Sequence, residues 1–244
     1  MTSDTSNISK LNAARVAGFM FLSSLLVPLL NWIFVLSKFI VAENAIATAH
    51  NILANQLLFR ISIINQIITS VIAVVLALAL YIILKSVNKN LALLALFLKL
   101  VEATLSAVIA LGHFIALLAL NEKTSLTVFN PKPVEALVGL FLNVYISITA
   151  IPGVFFGLSL MIFSYLLFKS KYVPGKLAAF GVFSYALVFI YDALIILFPN
   201  YATVIIIQII GSAPIVFFQI VIGLWLLFKG VNVQSQGNQV YEPV

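Results

Sequence analysis

Six long apolar stretches constrain the fold of this chain more than any other feature. They cover residues 16–36, 60–84, 91–120, 136–168, 177–198 and 202–228 of a sequence of 244 residues. A helix needs about 20 apolar residues to cross the hydrocarbon core of a bilayer, and all six stretches reach that length. The sequence therefore predicts an all-α, polytopic membrane protein built as a bundle of six transmembrane helices.

The composition indicates the same class of protein. Of all residues, 63% are hydrophobic and 8% are charged, whereas soluble domains contain about 45–50% apolar and about 25% charged residues. We expect a single transmembrane domain over residues 1–244, with short polar tails at 1–15 and 229–244. The sequence contains no cysteine, which excludes a disulfide framework, a thiolate metal site and a cysteine nucleophile.

The third stretch carries a polar stripe, formed by Lys99, Glu102, Ser106 and His113. Because a helix turns by about 100° per residue, these four side chains fall within an arc of about 60°. Ionisable groups are costly in contact with lipid, so we expect the stripe to face other helices or a water-filled cavity.

Lys99 and Glu102 stand three residues apart, a spacing that allows an ion pair along the helix near the bilayer midplane. Two interpretations are open. The pair could act as a proton or ion relay, or as a counter-ion site for a charged substrate. Alternatively, it could be a neutralised structural pair that fixes the register of the helix.

A second polar group is predicted near the outer ends of the spans. Asp192 lies in the fifth stretch, His113 lies at a comparable depth in the third, and Arg60 begins the second. Together they would form an outer polar cluster. Since a histidine changes its charge near neutral pH, this cluster could titrate; the alternative is an interhelical hydrogen bond without a further role.

Proline and glycine mark the places where the spans should bend or pack closely. Pro152 and Gly153 predict a kink in the long fourth stretch. Gly153 and Gly157 form a G-x-x-x-G pair, which lets another helix approach closely. Pro214 is predicted to interrupt the sixth stretch. Between the first two spans, the apolar positions within 38–59 follow helical spacing and predict a short helix at the membrane surface.

The distribution of basic residues predicts the orientation. With six spans, one side of the membrane receives eight Lys and Arg residues and the other receives four. The eight are Lys10, Arg15, Lys85, Lys89, Lys169, Lys171, Lys176 and Lys229; the four are Lys38, Arg60, Lys123 and Lys132. By the positive-inside rule, both termini are expected in the cytoplasm, and the protein in the cytoplasmic membrane.

The sequence offers no motif for catalysis or for a cofactor. It has no G-x-S-x-G, no phosphate-binding loop and no dinucleotide fingerprint. His113, Glu102 and Asp192 lack the spacing of metal ligands, so we expect neither a metal nor a cofactor. The basic residues do not form the clustered patch that nucleic-acid binding requires. The expected partners are the lipid bilayer and a small solute or ion.

Four segments resemble the domain of unknown function 4386 family of prokaryotic membrane proteins. They are HNILANQLLFR (50–60), LALALYIILKSVNKNLALLALFLKLVEA (76–103), KYVPGKLAAFGVFSYALVFIYDAL (171–194) and LWLLFKGVN (224–232). The resemblance covers most of the chain. It implies a membrane protein of six spans, and it implies no particular activity.

These observations lead to one functional hypothesis and one alternative. The hypothesis is a small transporter or a proton- or ion-coupled carrier, in which Lys99, Glu102 and Asp192 form the intramembrane polar path. Pro152, Gly153 and Pro214 would supply the broken-helix geometry. The alternative is a structural or regulatory membrane protein that transports nothing and whose polar groups only hold helices together. An intramembrane enzyme ranks third, because no catalytic constellation is visible.

Overall fold

The computed structural model describes residues 2–41, 44–120 and 145–232. Within these ranges the chain forms seven α-helices, two short 3-10 helices and no strand. The α-helices are α1 (Thr2–Phe34), α2 (Ala45–Ala54), α3 (Gln56–Leu84), α4 (Lys89–Leu120), α5 (Tyr145–Ser170), α6 (Gly175–Leu197) and α7 (Ile205–Phe228). The 3-10 helices are Leu36–Lys38 and Pro199–Thr203.

All of these α-helices except α2 are long and apolar enough to cross a membrane, which makes six candidate spans in the described residues. The prediction of an all-α bundle of six membrane helices is therefore confirmed. The short α2 confirms the helix expected between the first two spans. The predicted start of the fourth span, from residue 136, lies outside the described residues.

The first helix starts earlier than the hydrophobic pattern predicted. Residues 2–15, expected as a polar tail, form the first turns of α1. Ala13 and Ala14 are buried there, and the Lys10 ammonium donates a hydrogen bond to the Tyr172 hydroxyl at 3.1 Å. Packing of small residues thus extends α1 beyond the apolar stretch that hydropathy detects.

The six long helices form a closed ring. Each one packs against the preceding and the following long helix, and α7 closes the ring on α1. The turns between α3 and α4 and between α5 and α6 are short, so these neighbours are antiparallel. Asn88 begins α4 by accepting a hydrogen bond from the Leu91 amide at 3.0 Å.

Both ends of the described chain meet at one end of the ring, which we call the basic end. It contains the start of α1, the α3–α4 turn, the α5–α6 turn and the residues after α7. Tyr172 joins these parts: its hydroxyl contacts Lys10 at 3.1 Å and Ser86 at 3.5 Å, and its carbonyl accepts from the Asn232 amide at 3.0 Å. A continuous hydrophobic core shared by all six long helices extends from this end.

The outer surface of the ring is apolar. Many large aliphatic and aromatic side chains are exposed on it, among them Ile205, Ile206 and Phe228. An apolar surface of this extent is incompatible with a water-exposed monomer and suits contact with lipid chains. The burial pattern and the hydropathy of the helices therefore agree on a membrane-embedded bundle.

The helices continue through both prolines, one at a predicted kink and the other at a predicted interruption. α5 continues through Pro152, and α7 continues through Pro214. Within a membrane a break would leave several backbone groups without partners, whereas a proline inside a continuous helix costs one hydrogen bond. The helix is therefore interrupted at neither proline, whereas the kink predicted at Pro152 and Gly153 stays a prediction.

Candidate functional site

The polar stripe of α4 faces the inside of the bundle. Lys99 is 2% exposed, and Ser106 and His113 are buried as well. The same face carries the small buried residues Ala92, Ala95, Ala103, Ala110 and Ala116, which let the neighbouring helices come close. The expectation that the stripe turns away from lipid is thus confirmed, while its role as a polar path stays a prediction.

Lys99 and Glu102 form an ion pair inside the bundle. The Lys99 Nζ lies 2.7 Å from Glu102 Oε2, and the Glu102 side chain is 12% exposed. The ammonium also lies over the ring of Phe156 in α5, 4.2 Å from the ring centre. The charge of Lys99 is therefore balanced by a carboxylate and by the electron-rich face of an aromatic ring.

An aromatic and polar chain continues from this pair across the bundle. The Phe156 ring packs edge-on against Tyr185 of α6, with centroids 5.6 Å apart. Tyr185 is completely buried, and its hydroxyl approaches the Gln219 side chain of α7 without a hydrogen bond of good geometry. We call Lys99, Glu102, Phe156, Tyr185 and Gln219 the Lys99 site.

Asp192 of α6 occupies a separate position against α5. Its side chain is 8% exposed, and its carboxylate lies where a Cβ atom at Gly153 would be. Among the residues that the structure describes, Asp192 forms no ion pair. We call Asp192, Gly153 and Pro152 the Asp192 site.

The G-x-x-x-G pair is the contact surface between α5 and α6. A Cβ atom added to Gly157 would lie 2.9 Å from the backbone nitrogen of Phe189. The two helices thus come close together at Gly157, and Gly153 has the additional effect of making room for Asp192. Because Gly153 and Phe156 are three residues apart on α5, the two sites lie about one helical turn from each other along this helix.

The described contacts do not gather the residues of the predicted outer cluster into one site. The His113 ring packs on Phe59 of α3, with centroids 5.9 Å apart, whereas Asp192 packs on α5. Since α5 stands between α4 and α6 in the ring, these two side chains contact different helices. Arg60 follows Phe59 and is half-buried.

Three residues of the Lys99 site were not among the candidates predicted from the sequence: Phe156, Tyr185 and Gln219. Phe156 gave no signal, because an aromatic residue in an apolar span can face either lipid or protein. Tyr185 and Gln219 were detectable as polar groups within spans, since such groups tend to turn toward the bundle interior. Within the described ranges, no three His, Asp or Glu residues are grouped as metal ligands would be.

Six apolar helices around a buried ion pair and a buried carboxylate define a multi-pass α-helical membrane protein. The sequence profile of the domain of unknown function 4386 family matches residues 16–230. The chain belongs to this family, as its sequence indicated. Comparisons with curated proteins and with solved structures give no significant match.

Proposed function

We propose that this protein is a small carrier coupled to the movement of protons or other cations, with Asp192 as the ion-binding carboxylate. The observation that supports this most directly is the position of Asp192: it is almost completely buried, and no described cationic side chain pairs with it. A charged group inside a membrane protein is expensive unless it is paired or protonated. A carboxylate in this position can bind a proton or a small cation as compensation.

Pro152, which belongs to the Asp192 site, adds a second group suited to this role. Pro152 has no amide hydrogen, so the carbonyl of Ile148 loses its regular helical donor. A backbone carbonyl without its helical donor is a type of oxygen ligand that can bind a coupling ion. Gly153 keeps the space above this turn open for the carboxylate.

The Lys99 site contains two opposite charges that compensate each other, Lys99 and Glu102. It lies about one turn of α5 from the Asp192 site. In the proposed carrier, Lys99 and Glu102 balance the charge of the bound solute or ion as it passes. Ser106, His113 and Arg60 extend the polar path toward the opposite end of the bundle from the basic end.

The test is flux through purified protein in liposomes that contain a pH-sensitive dye, under imposed pH, sodium and potassium gradients. We expect flux in the wild type, its loss to the level of empty liposomes in Asp192→Asn, and its retention in Tyr191→Phe. The control removes a hydroxyl from the adjacent residue and leaves the carboxylate in place. Absence of wild-type flux under every gradient, or undiminished flux in Asp192→Asn, would contradict the proposal.

The alternative, a structural or regulatory protein without transport, is favoured by the enclosure of Lys99 between Glu102 and Phe156. In that case the pair only joins α4 to α5. Replacement of both residues, Lys99→Met with Glu102→Leu, distinguishes the two functions. A folded double variant without flux supports the carrier, whereas a double variant that fails to fold supports the structural role.

We further propose that the basic end lies in the cytoplasm and that the protein resides in a prokaryotic cytoplasmic membrane. The support is the excess of Lys and Arg in the segments that belong to this end, eight against four. Such an excess is typical of the cytoplasmic side of multi-pass proteins.

A further inference from the structure

We propose that a groove at the basic end binds the headgroup of an anionic phospholipid. The groove has a volume of about 640 Å³ and lies between the α5–α6 turn and the end of α7. Its described lining includes Phe168, Lys169, Lys171, Tyr172, Val173 and Trp225. This inference is independent of the proposed transport function, because it concerns the surface of the bundle and not its interior.

The groove lies where lipid headgroups are found. α5 ends at Ser170, α6 begins at Gly175 and α7 ends at Phe228, so the groove is level with the ends of three membrane spans. Phe168, which lines the groove, is exposed, and so is Phe228 at the end of α7. Exposed aromatic side chains at span ends are typical of the boundary between acyl chains and headgroups.

The lining combines an apolar wall with positive charge. Phe168, Val173 and Trp225 provide apolar surface suited to the glycerol and upper acyl region of a lipid. Lys169 and Lys171 stand at the same groove, and no described lining residue is acidic. A third ammonium, that of Lys229, lies over the Trp225 ring at 4.3 Å. Basic pockets of this kind at the ends of membrane helices bind anionic headgroups.

The α5–α6 turn holds one of these lysines in an unfavourable conformation. Lys171 has a φ of 56°, and it is the only non-glycine residue with positive φ in the described ranges. Glycine would adopt this backbone without steric cost. The turn is fixed by Tyr172, whose amide donates to Ser170 Oγ at 3.3 Å and whose carbonyl accepts from the Asn232 amide. A lysine in a backbone conformation that favours glycine indicates that its charge has a function.

The test is competition between two lipids that share a phosphate. Purified full-length protein is exchanged into an equal mixture of phosphatidylglycerol and phosphatidylcholine, and bound lipid is counted by native mass spectrometry. We expect the wild type to retain phosphatidylglycerol preferentially. In Lys169→Gln/Lys171→Gln this preference should fall about thirtyfold, the scale set by two lysines near an anionic headgroup.

The matched control removes two charges from the same end but outside the groove. Lys85 and Lys89 are both exposed, and Lys85→Gln/Lys89→Gln should keep the preference of the wild type. An equal fall in both double variants would overturn the proposal, because it would show an effect of net charge alone. Equal retention of the two lipids by the wild type, or release of the lipid by inorganic phosphate, would also overturn it.

A second variant keeps the test decisive if the double substitution impairs folding. Lys171→Gly removes one charge and relaxes the backbone at φ 56°. It should therefore be at least as stable as the wild type and yet lose part of the preference for phosphatidylglycerol. A stable Lys171→Gly protein with unchanged lipid preference would contradict the proposal.

Discussion

Lys99 and Asp192 are both charged residues inside the bundle, but their surroundings differ. The Lys99 ammonium has a carboxylate at 2.7 Å and an aromatic ring at 4.2 Å. The Asp192 carboxylate lies against Gly153, and no described cationic side chain forms an ion pair with it. A paired charge can serve structure alone, whereas a carboxylate without a described partner is stabilised when it binds a proton or a cation. Asp192 is therefore the residue at which we propose ion binding.

The Lys99–Glu102 pair predicts strong non-additivity in stability. Removing one partner leaves a buried charge without compensation, so Glu102→Gln and Lys99→Met should each lower the free energy of unfolding by about 3–5 kcal/mol. Lys99→Met/Glu102→Leu should cost far less than the sum of the two, because no buried charge remains. Thermal and denaturant unfolding in detergent would measure all three variants.

Lys89→Met provides the control for this cycle. Lys89 is an exposed lysine on the same helix, and its substitution should change stability by no more than about 0.5 kcal/mol. If the double variant loses as much stability as the two single variants combined, the two residues do not act as a compensated pair.

The sequence could predict which α4 residues are buried, but not what they contact. The spacing of Lys99, Ser106 and His113 placed them on one face, and the cost of charge in lipid determined that this face is internal. The contact with Phe156 could not be predicted in the same way, since it depends on the rotation of α5. That rotation follows from glycine packing against α6, which no property of α4 reveals.

At the scale of elements, the α5–α6 pair concentrates the features that distinguish this bundle. Gly153 and Gly157 face α6, but they contact different kinds of atoms. An added Cβ at Gly153 would meet the carboxylate of Asp192, which is the end of a movable side chain. At Gly157 it would lie 2.9 Å from the Phe189 backbone, which cannot move without separating the helices.

This difference predicts opposite phenotypes for two similar substitutions. Gly157→Ala should lower the free energy of unfolding by about 1–3 kcal/mol, because the helices must move apart. Gly153→Ala should cost less stability and reduce ion flux more, because it displaces Asp192. Stability is measured by thermal unfolding, and flux by the liposome assay.

Gly175→Ala is the control for both, since the nearest atom to its added Cβ would be 3.8 Å away. It should leave stability and flux close to those of the wild type. If Gly153→Ala and Gly157→Ala reduce flux in proportion to their loss of stability, Gly153 has no specific relation to Asp192.

Hydropathy predicted the positions of the six spans accurately, but it predicted some of the helix ends less accurately. α3, α4 and α6 lie close to the predicted stretches, because apolar runs and turn residues such as Asn88 and Pro174 coincide with the helix ends. The start of α1 was missed because its stability comes from burial of Ala13 and Ala14, and alanine contributes little to a hydropathy average. Pro214 was expected to interrupt α7, but in a membrane the backbone stays helical around it.

At the scale of the whole molecule, the closed ring depends on one contact between helices far apart in sequence. An added Cβ at Gly18 of α1 would lie 2.6 Å from the carbonyl oxygen of Gly223 in α7. Close approach of two glycines thus joins the first span to the last. The sequence indicated six spans, but isolated glycines within apolar runs did not reveal which pair closes the ring.

The orientation of the ring in the membrane is testable because the chain contains no cysteine. Single cysteines introduced at exposed positions can be labelled with a membrane-impermeant maleimide without background. Lys89→Cys lies in the basic end, and Asn200→Cys lies between α6 and α7 at the other end. Because eight of the twelve basic residues outside the spans' interior belong to the basic end, we expect intact cells to show labelling of Asn200→Cys only.

Permeabilised cells provide the control, since both variants should then be labelled equally. Labelling of Lys89→Cys in intact cells would place the basic end outside. The positive-inside argument would then be wrong for this protein, and the lipid groove would face the outer leaflet. Labelling of both variants in intact cells would contradict an odd number of crossings between residues 89 and 200, and with it the arrangement of α4, α5 and α6 as three consecutive spans.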